Sequence, residues 1–195
     1  MSAYLANVPS AVVLDACVLY PLPLRDTLLR MAEYDLYAVR WSRRILDEVA
    51  RNLIEDRRAT SQQAQNMINA MRREFQDAEI PAAAIAAVEP EMTNDPPDRH
   101  VLAAAVACRD ADTIVTFNLR HFPSSSREPY GIDVIHPDQF LCDLHEHAAD
   151  RVHLALDEQA AALSRPPMTV DDVLDRLRRS VPDFVSRVRA ARPPA

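Results

Sequence analysis

The stretch Ala11-Val12-Val13-Leu14-Asp15 decides the fold. Four apolar residues run without a polar interruption and stop at a carboxylate. Such a run reads as a strand buried on both faces, the kind a parallel sheet uses, with Asp15 at its carboxyl end. Working outward, Leu36-Tyr37-Ala38-Val39 is expected as a second strand and Thr113-Ile114-Val115-Thr116 as a third. Asp133-Val134-Ile135 is expected as a short fourth, stopped by Pro137. Helical patterns lie between them. The Pro21 and Pro23 pair opens one that runs to about Tyr34, since proline suits a first helical turn. Ser42 can cap a second, which places Ile45, Leu46, Val49 and Leu53 on one face. Thr60 and Ser61 open a third towards Phe75. Asp95-Pro96-Pro97-Asp98 starts a fourth, expected through Arg109. Residues 77–93 look loose, punctuated by Pro81 and Pro90, and 124–131 read as a loop. Strand and helix thus alternate to about residue 142, the pattern of an α/β fold in which helices cover a mostly parallel sheet. Beyond that the pattern is all helical. A long helix is expected over 144–163, a break at 164–167, a capping-box-like start at Thr169 and a last helix from Pro182. The expected organisation is an α/β domain over 10–144 and a helical C-terminal extension over 145–195. Val173, Leu174, Leu177 and Val181 give that extension an apolar stripe, so it should pack against something.

Composition narrows the function. The chain has 195 residues, 48% hydrophobic and 26% charged, enough for one domain with a sizeable core. No apolar run approaches the ~20 residues of a membrane span. The N-terminus lacks a basic, apolar and small-residue leader pattern, so a cytoplasmic location and no membrane partner are expected. Cys17, Cys108 and Cys142 are far apart with no C-x-x-C, which argues against a disulfide framework and against structural zinc. The single glycine, Gly131, excludes both G-x-G-x-x-G and the P-loop. Lysine is absent, all 22 basic residues being arginine, so lysine Schiff-base chemistry is excluded as well. Net charge is −7, unevenly spread. Residues 40–73 hold eight arginines against four acids and residues 165–195 seven against four, whereas the remainder holds seven against 21. A phosphate-bearing substrate could lie along the basic segments while acids elsewhere hold a cation.

Ligands of open parallel sheets bind beyond the carboxyl ends of the strands. Asp15 ends the first strand, and Thr116 and Asn118 end the third. Glu48 borders the apolar stripe of the Ser42-capped helix. Asp98 begins the helix that leads into the third strand, which in the simplest winding is the opposite edge of the sheet. The long segment before it gives the freedom to reach over. Asp95 reads first as a helix cap, and Asp98 as a site carboxylate or the cap's partner. Converging carboxylates repel, and a divalent cation relieves that repulsion. Mg2+ typically takes one or two carboxylates with water and phosphate oxygens, and suits phosphodiester hydrolysis. These residues alone support a metal-dependent α/β enzyme.

Four stretches in this order resemble the PIN domain family, the metal-dependent ribonucleases that include the VapC toxins of bacterial toxin–antitoxin pairs. They are Val12-Val13-Leu14-Asp15-Ala16-Cys17-Val18-Leu19-Tyr20-Pro21, Trp41 to Glu48, Asp95 to Ala105, and Ile114 to Pro123. The resemblance covers residues 10–142. It implies a three-layer PIN-like fold with a mostly five-stranded parallel sheet, bound Mg2+ or Mn2+, and an RNA substrate. It also implies a cognate antitoxin and, as commonly in such toxins, a homodimer. Asp15, Glu48 and Asp98 match the first three family acids, with Asp15 and Asp98 as metal ligands. Asn118 stands at the start of the fourth motif and completes the expected catalytic set. His121 occupies the slot where that motif has aspartate, and Thr116, His121 and Asp95 are accessory candidates. Two readings of the missing fourth acid follow: a three-acid nuclease in which amide or imidazole holds a water, or a degenerate PIN domain that binds RNA or a partner without cutting. A haloacid-dehalogenase-type phosphatase is disfavoured, because Cys17 stands where it would carry a second aspartate. Cys17 itself reads as a buried thiol on the side of Asp15. Trp41 reads as core, and His145, His147 and His153 as surface residues.

Overall fold

A computed structural model describes residues 9–164 and 166–192. The chain divides into two compact units, one of residues 9–20 and 38–135, the other of 21–37 and the segment from 136 onward. The elements, numbered along the chain, fall cleanly between them.

The first unit holds the whole sheet. Strands β1 (Ala11–Leu14), β2 (Ala38–Arg40), β3 (Thr113–Val115) and β4 (Asp133–Ile135) pair in parallel in the order β2-β1-β3-β4. Val13 sits opposite Arg40 on one side and Ile114 on the other. All of β1 is buried, as its unbroken apolar run requires. The fifth strand that the resemblance implies is reduced to one parallel bridge between Trp41 and Glu79. Trp41 N–H donates to Ala78 O at 3.0 Å and Ile80 N–H to Trp41 O at 2.9 Å. Trp41 is core as expected, edge-on to Phe75 at 5.8 Å.

Helices α1 (Ala16–Leu19), α3 (Arg43–Glu55), α4 (Ser61–Glu74), α5 (Ala82–Val88), α6 (Arg99–Ala107) and α7 (Ser124–Arg127) complete this unit, and α2 (Leu22–Glu33) belongs to the other. Ser42 caps α3, its Oγ accepting from Ile45 N–H at 3.1 Å, and Thr60 with Gln63 forms a capping box on α4. The alanine-rich α5 follows Pro81 inside the segment expected to be loose, since alanine is the best helix former. The expected loop at 124–131 contains α7 and a 3-10 turn, Glu128–Tyr130. Gly131 ends it at φ +66°, a conformation that glycine alone adopts at little cost. Many arginines of the basic segments are paired locally: Arg43 with Asp47, Arg44 with Glu89 and Arg72 with Glu79.

The second unit is helical: α2, α8 (Pro137–Ala162), α9 (Val170–Leu177) and α10 (Pro182–Ala191). Strand β2 starts two residues later than expected because Leu36 and Tyr37 belong to this unit. Tyr37 donates to Leu28 O at 2.8 Å and stands edge-on to Phe140. Helix α8 starts at Pro137, earlier than expected, with His136 Nδ1 accepting from Asp138 N–H at 3.2 Å. The boundary expected between 144 and 145 therefore falls inside a helix, and the C-terminal helices share their unit with α2. Gln159 ties α2 to α8: it accepts from Thr27 Oγ1 at 2.8 Å and donates to Pro23 O at 3.1 Å. Val173, Leu174, Leu177 and Val181 are buried, as their stripe requires.

His145 is not a surface residue. It is 9% exposed, and its Nε2 lies 3.1 Å from His153 Nε2, while His147 is exposed as expected. Sequence reading compared His145 with His147, two residues on, whereas a non-helical Ala148 (φ −148°, ψ 58°) kinks α8 and turns His153 back onto it. Burial, with His153 and Arg187 nearby, holds the His145 imidazole below the ordinary histidine value.

Asp138 supplies the cap that α10 lacks of its own. Its buried carboxylate accepts from Phe184 N–H at 2.8 Å and Asp183 N–H at 3.1 Å. Asp138→Ala is expected to cost ~2 kcal/mol in chemical denaturation, and Asp138→Asn less, since an amide oxygen still accepts.

Candidate active site

The strand order reverses between β1 and β3, so their carboxyl ends form the switch-point crevice where ligands of such sheets bind. Asp15 follows β1 directly, its N–H donating to Val115 O at 3.2 Å. It stands at the N-cap position just before α1, yet its side chain does not cap that helix. The carboxylate is instead 3% exposed, and Oδ2 accepts from Thr116 Oγ1 at 2.6 Å and from Cys17 Sγ at 3.2 Å. Cys17 Sγ in turn accepts from Phe117 N–H at 3.3 Å, and Thr116 Oγ1 from Asn118 N–H at 3.0 Å. Asn118 therefore enters this network through its main chain. Burial raises the Asp15 carboxyl above its usual range and the charge of Asp98 adds to that, against the lowering effect of the Thr116 and Cys17 donors. Burial and the neighbouring Asp15 push the Cys17 thiol far up, so it acts as a protonated donor and not as a nucleophile.

A second cluster adjoins the first. The segment before α6 folds as a 3-10 turn, Pro96–Asp98, and Asp95 N–H donates to His121 O at 3.2 Å. That bond ties the start of α6 to the segment after β3, at the carboxyl edge, which is how Asp98 reaches the side of Asp15. Neither Asp95 nor Asp98 caps a helix with its side chain, contrary to the capping expectation. Both turn to His121, whose Nδ1 lies 2.6 Å from Asp98 Oδ2 and 3.5 Å from Asp95 Oδ2. Arg120 Nε–H donates to His121 Nε2 at 3.3 Å, which assigns the Nδ1–H of a neutral ring to Asp98. One ligand atom from each of Asp95, Asp98 and His121 lies within 4.8 Å of the others. The carboxylate oxygens fit Mg2+ or Mn2+.

Glu48, on α3, meets His100. His100 Nε2 lies 3.5 Å from Glu48 Oε2, and His100 is 2% exposed, two residues after Asp98. His100, ahead of Arg51 and Arg44, holds the Glu48 carboxyl below its usual range against partial burial, so Glu48 stays ionised. Sequence reasoning missed His100. It sits in the apolar run that α6 buries, and nothing in its spacing distinguishes it from a core residue. The structure thus joins Asp15 with Thr116 and Cys17, Asp98 with Asp95 and His121, and Glu48 with His100 on the helix that Asp98 begins.

An Asp15 carboxyl raised above its unfolded value contributes fully to folding below that value. Its contribution is lost as pH rises through the folded value, so at neutral pH the ionised group opposes folding. Asp15→Asn is therefore expected to melt higher than the parent in EDTA at pH 7, with the difference shrinking towards pH 3.

Two stretches of the chain match known families. The PIN domain family matches residues 11–120, and the VapC50 C-terminal domain matches residues 137–190. A protein of Mycobacterium tuberculosis named "Putative ribonuclease VapC50" is 46% identical over 101 residues. That alignment covers 50% of this chain and 57% of the relative, so the chain spans little more than half the relative's length. No solved structure matches significantly. No helix among the described residues is long and apolar enough to cross a membrane. With the family match covering more than half of its length, the chain belongs to the PIN domain family.

Proposed function

We propose that this chain is a Mg2+- or Mn2+-dependent endoribonuclease that hydrolyses RNA phosphodiester bonds, and the toxin of a toxin–antitoxin pair. The observation that carries the reading is the Asp15 carboxylate, raised by burial and further by the charge of Asp98, at the switch point of a PIN domain. The name of the Mycobacterium relative and the match of the C-terminal segment support the toxin assignment.

In this reading Asp15 and Asp98 hold the cation. When bound, it would lower the pKa of an attacking water and offset the charge developing on the phosphodiester. Thr116 and Cys17 fix Asp15 by its Oδ2. Glu48, kept ionised by His100, accepts a proton or orients the water. Asn118 braces the Thr116 hydroxyl from the main chain. His121 stands on Asp98 where a fourth acid would add charge, so the site works with three acids. An acidic groove of this kind attracts an arginine of an antitoxin peptide. A second copy of the chain and a cytoplasmic setting complete the proposal.

The test incubates purified, partner-free protein with total RNA and Mn2+ or Mg2+, against EDTA. Cleavage is expected with metal, with ~100-fold or greater loss in Asp15→Asn and Asp98→Asn. His100→Leu is expected to lose ~10-fold, and His100→Gln, which keeps a donor to Glu48, less. Cation binding without cleavage would replace the nuclease with an RNA- or partner-binding PIN domain, the reading that His121 in place of a fourth acid favours. Failure to bind a cation would overturn the metal-dependent nuclease.

A further inference from the structure

No proline, glycine or serine marks the kink of α8. Sharp kinks arise at proline, at glycine or serine, at π-bulges or where a side chain inserts. Residues 147–150 are His, Ala, Ala and Asp, and Ala148 is good helix former, yet it leaves helical geometry. In a straight helix, residues eight apart lie ~12 Å apart along the axis. His145 and His153 nevertheless meet with their Nε2 atoms 3.1 Å apart, ring centroids at 5.2 Å and ring planes tilted by 41°. The kink thus brings two imidazole nitrogens together. Phe184 stands edge-on to His145 at 6.4 Å and closes that side.

We propose that His145 and His153 form a binding site for a late first-row transition ion, with Zn2+ as the type case, which clasps α8 across its kink. Imidazole nitrogens suit Zn2+, Cu2+ and Ni2+, whereas Mg2+ prefers oxygen. With Zn–N bonds of ~2.05 Å, a 3.1 Å separation subtends about 100° at the metal, between the cis angle of an octahedron and the angle of a tetrahedron. His153 is half-buried and opens the remaining positions to water. Binding moves one ring from the Nε2–H to the Nδ1–H tautomer and changes no net proton count. The Arg187 charge that faces His145 also meets Glu146 at 3.7 Å, so the expected affinity is micromolar and not that of a closed structural site. This site is separate from the carboxylates described above and stands whether or not the chain cuts RNA.

Isothermal titration of the full chain with Zn2+, in excess Mg2+ to occupy the carboxylate site, tests it. The parent is expected to take one Zn2+ per chain more than His153→Ala, and its melting temperature to rise with Zn2+ where that of His153→Ala does not. His153 is half-buried, so its alanine variant should fold. His145→Gln gives a second reading of the same loss. Equal Zn2+ uptake and an equal thermal response in parent and His153→Ala would overturn the site and leave the two rings as a hydrogen-bonded pair only.

Discussion

The site is built around one carboxylate held where a carboxylate is costly. Asp15 ends a strand with no exposed residue and is itself almost fully covered. Burying an ion without compensation is strongly unfavourable. Two donors, Thr116 and Cys17, offset part of that cost, but the carboxyl remains raised and the charge of Asp98 raises it further. A site built this way is destabilised when empty and ionised, and a divalent cation would relieve that cost. The same burial that makes β1 the centre of the sheet is what the proposed cation at its end would offset.

The histidines refine this picture. His121 and His100 each stand on a carboxylate, Asp98 and Glu48 respectively. Each answers a negative charge without adding a fourth one. In the proposed nuclease this replaces part of what a fourth acid and its share of metal would supply. It also ties the start of α6 to two different parts of the sheet unit, since Asp98 faces the segment after β3 while His100 faces α3.

Much of this was legible in the residues. The run ending at Asp15 announced a buried parallel strand and a carboxylate beyond it, because both follow from local sequence. Asp98 and Glu48 could be picked out by their setting in motifs that resemble the family. What stayed hidden depends on contacts between distant segments. His100 looks like one more residue of an apolar helix until Glu48 is placed beside it. The capping expectation for Asp95 failed because a histidine 26 positions later competes for the same carboxylate. His145 and His153 became partners only through a kink that no proline or glycine signals. Apolar periodicity likewise marks the buried face of the C-terminal helices and does not say that α2, far earlier in the chain, shares their unit.

The most direct test of the central claim is a crystal of the protein grown with Mn2+ and measured for anomalous scattering. The account predicts a peak in contact with the carboxylates of both Asp15 and Asp98, absent from crystals of Asp15→Asn. A peak held by Asp95 and His121 alone, with Asp15 making no contact to it, would contradict the claim that the buried Asp15 carboxylate organises the site.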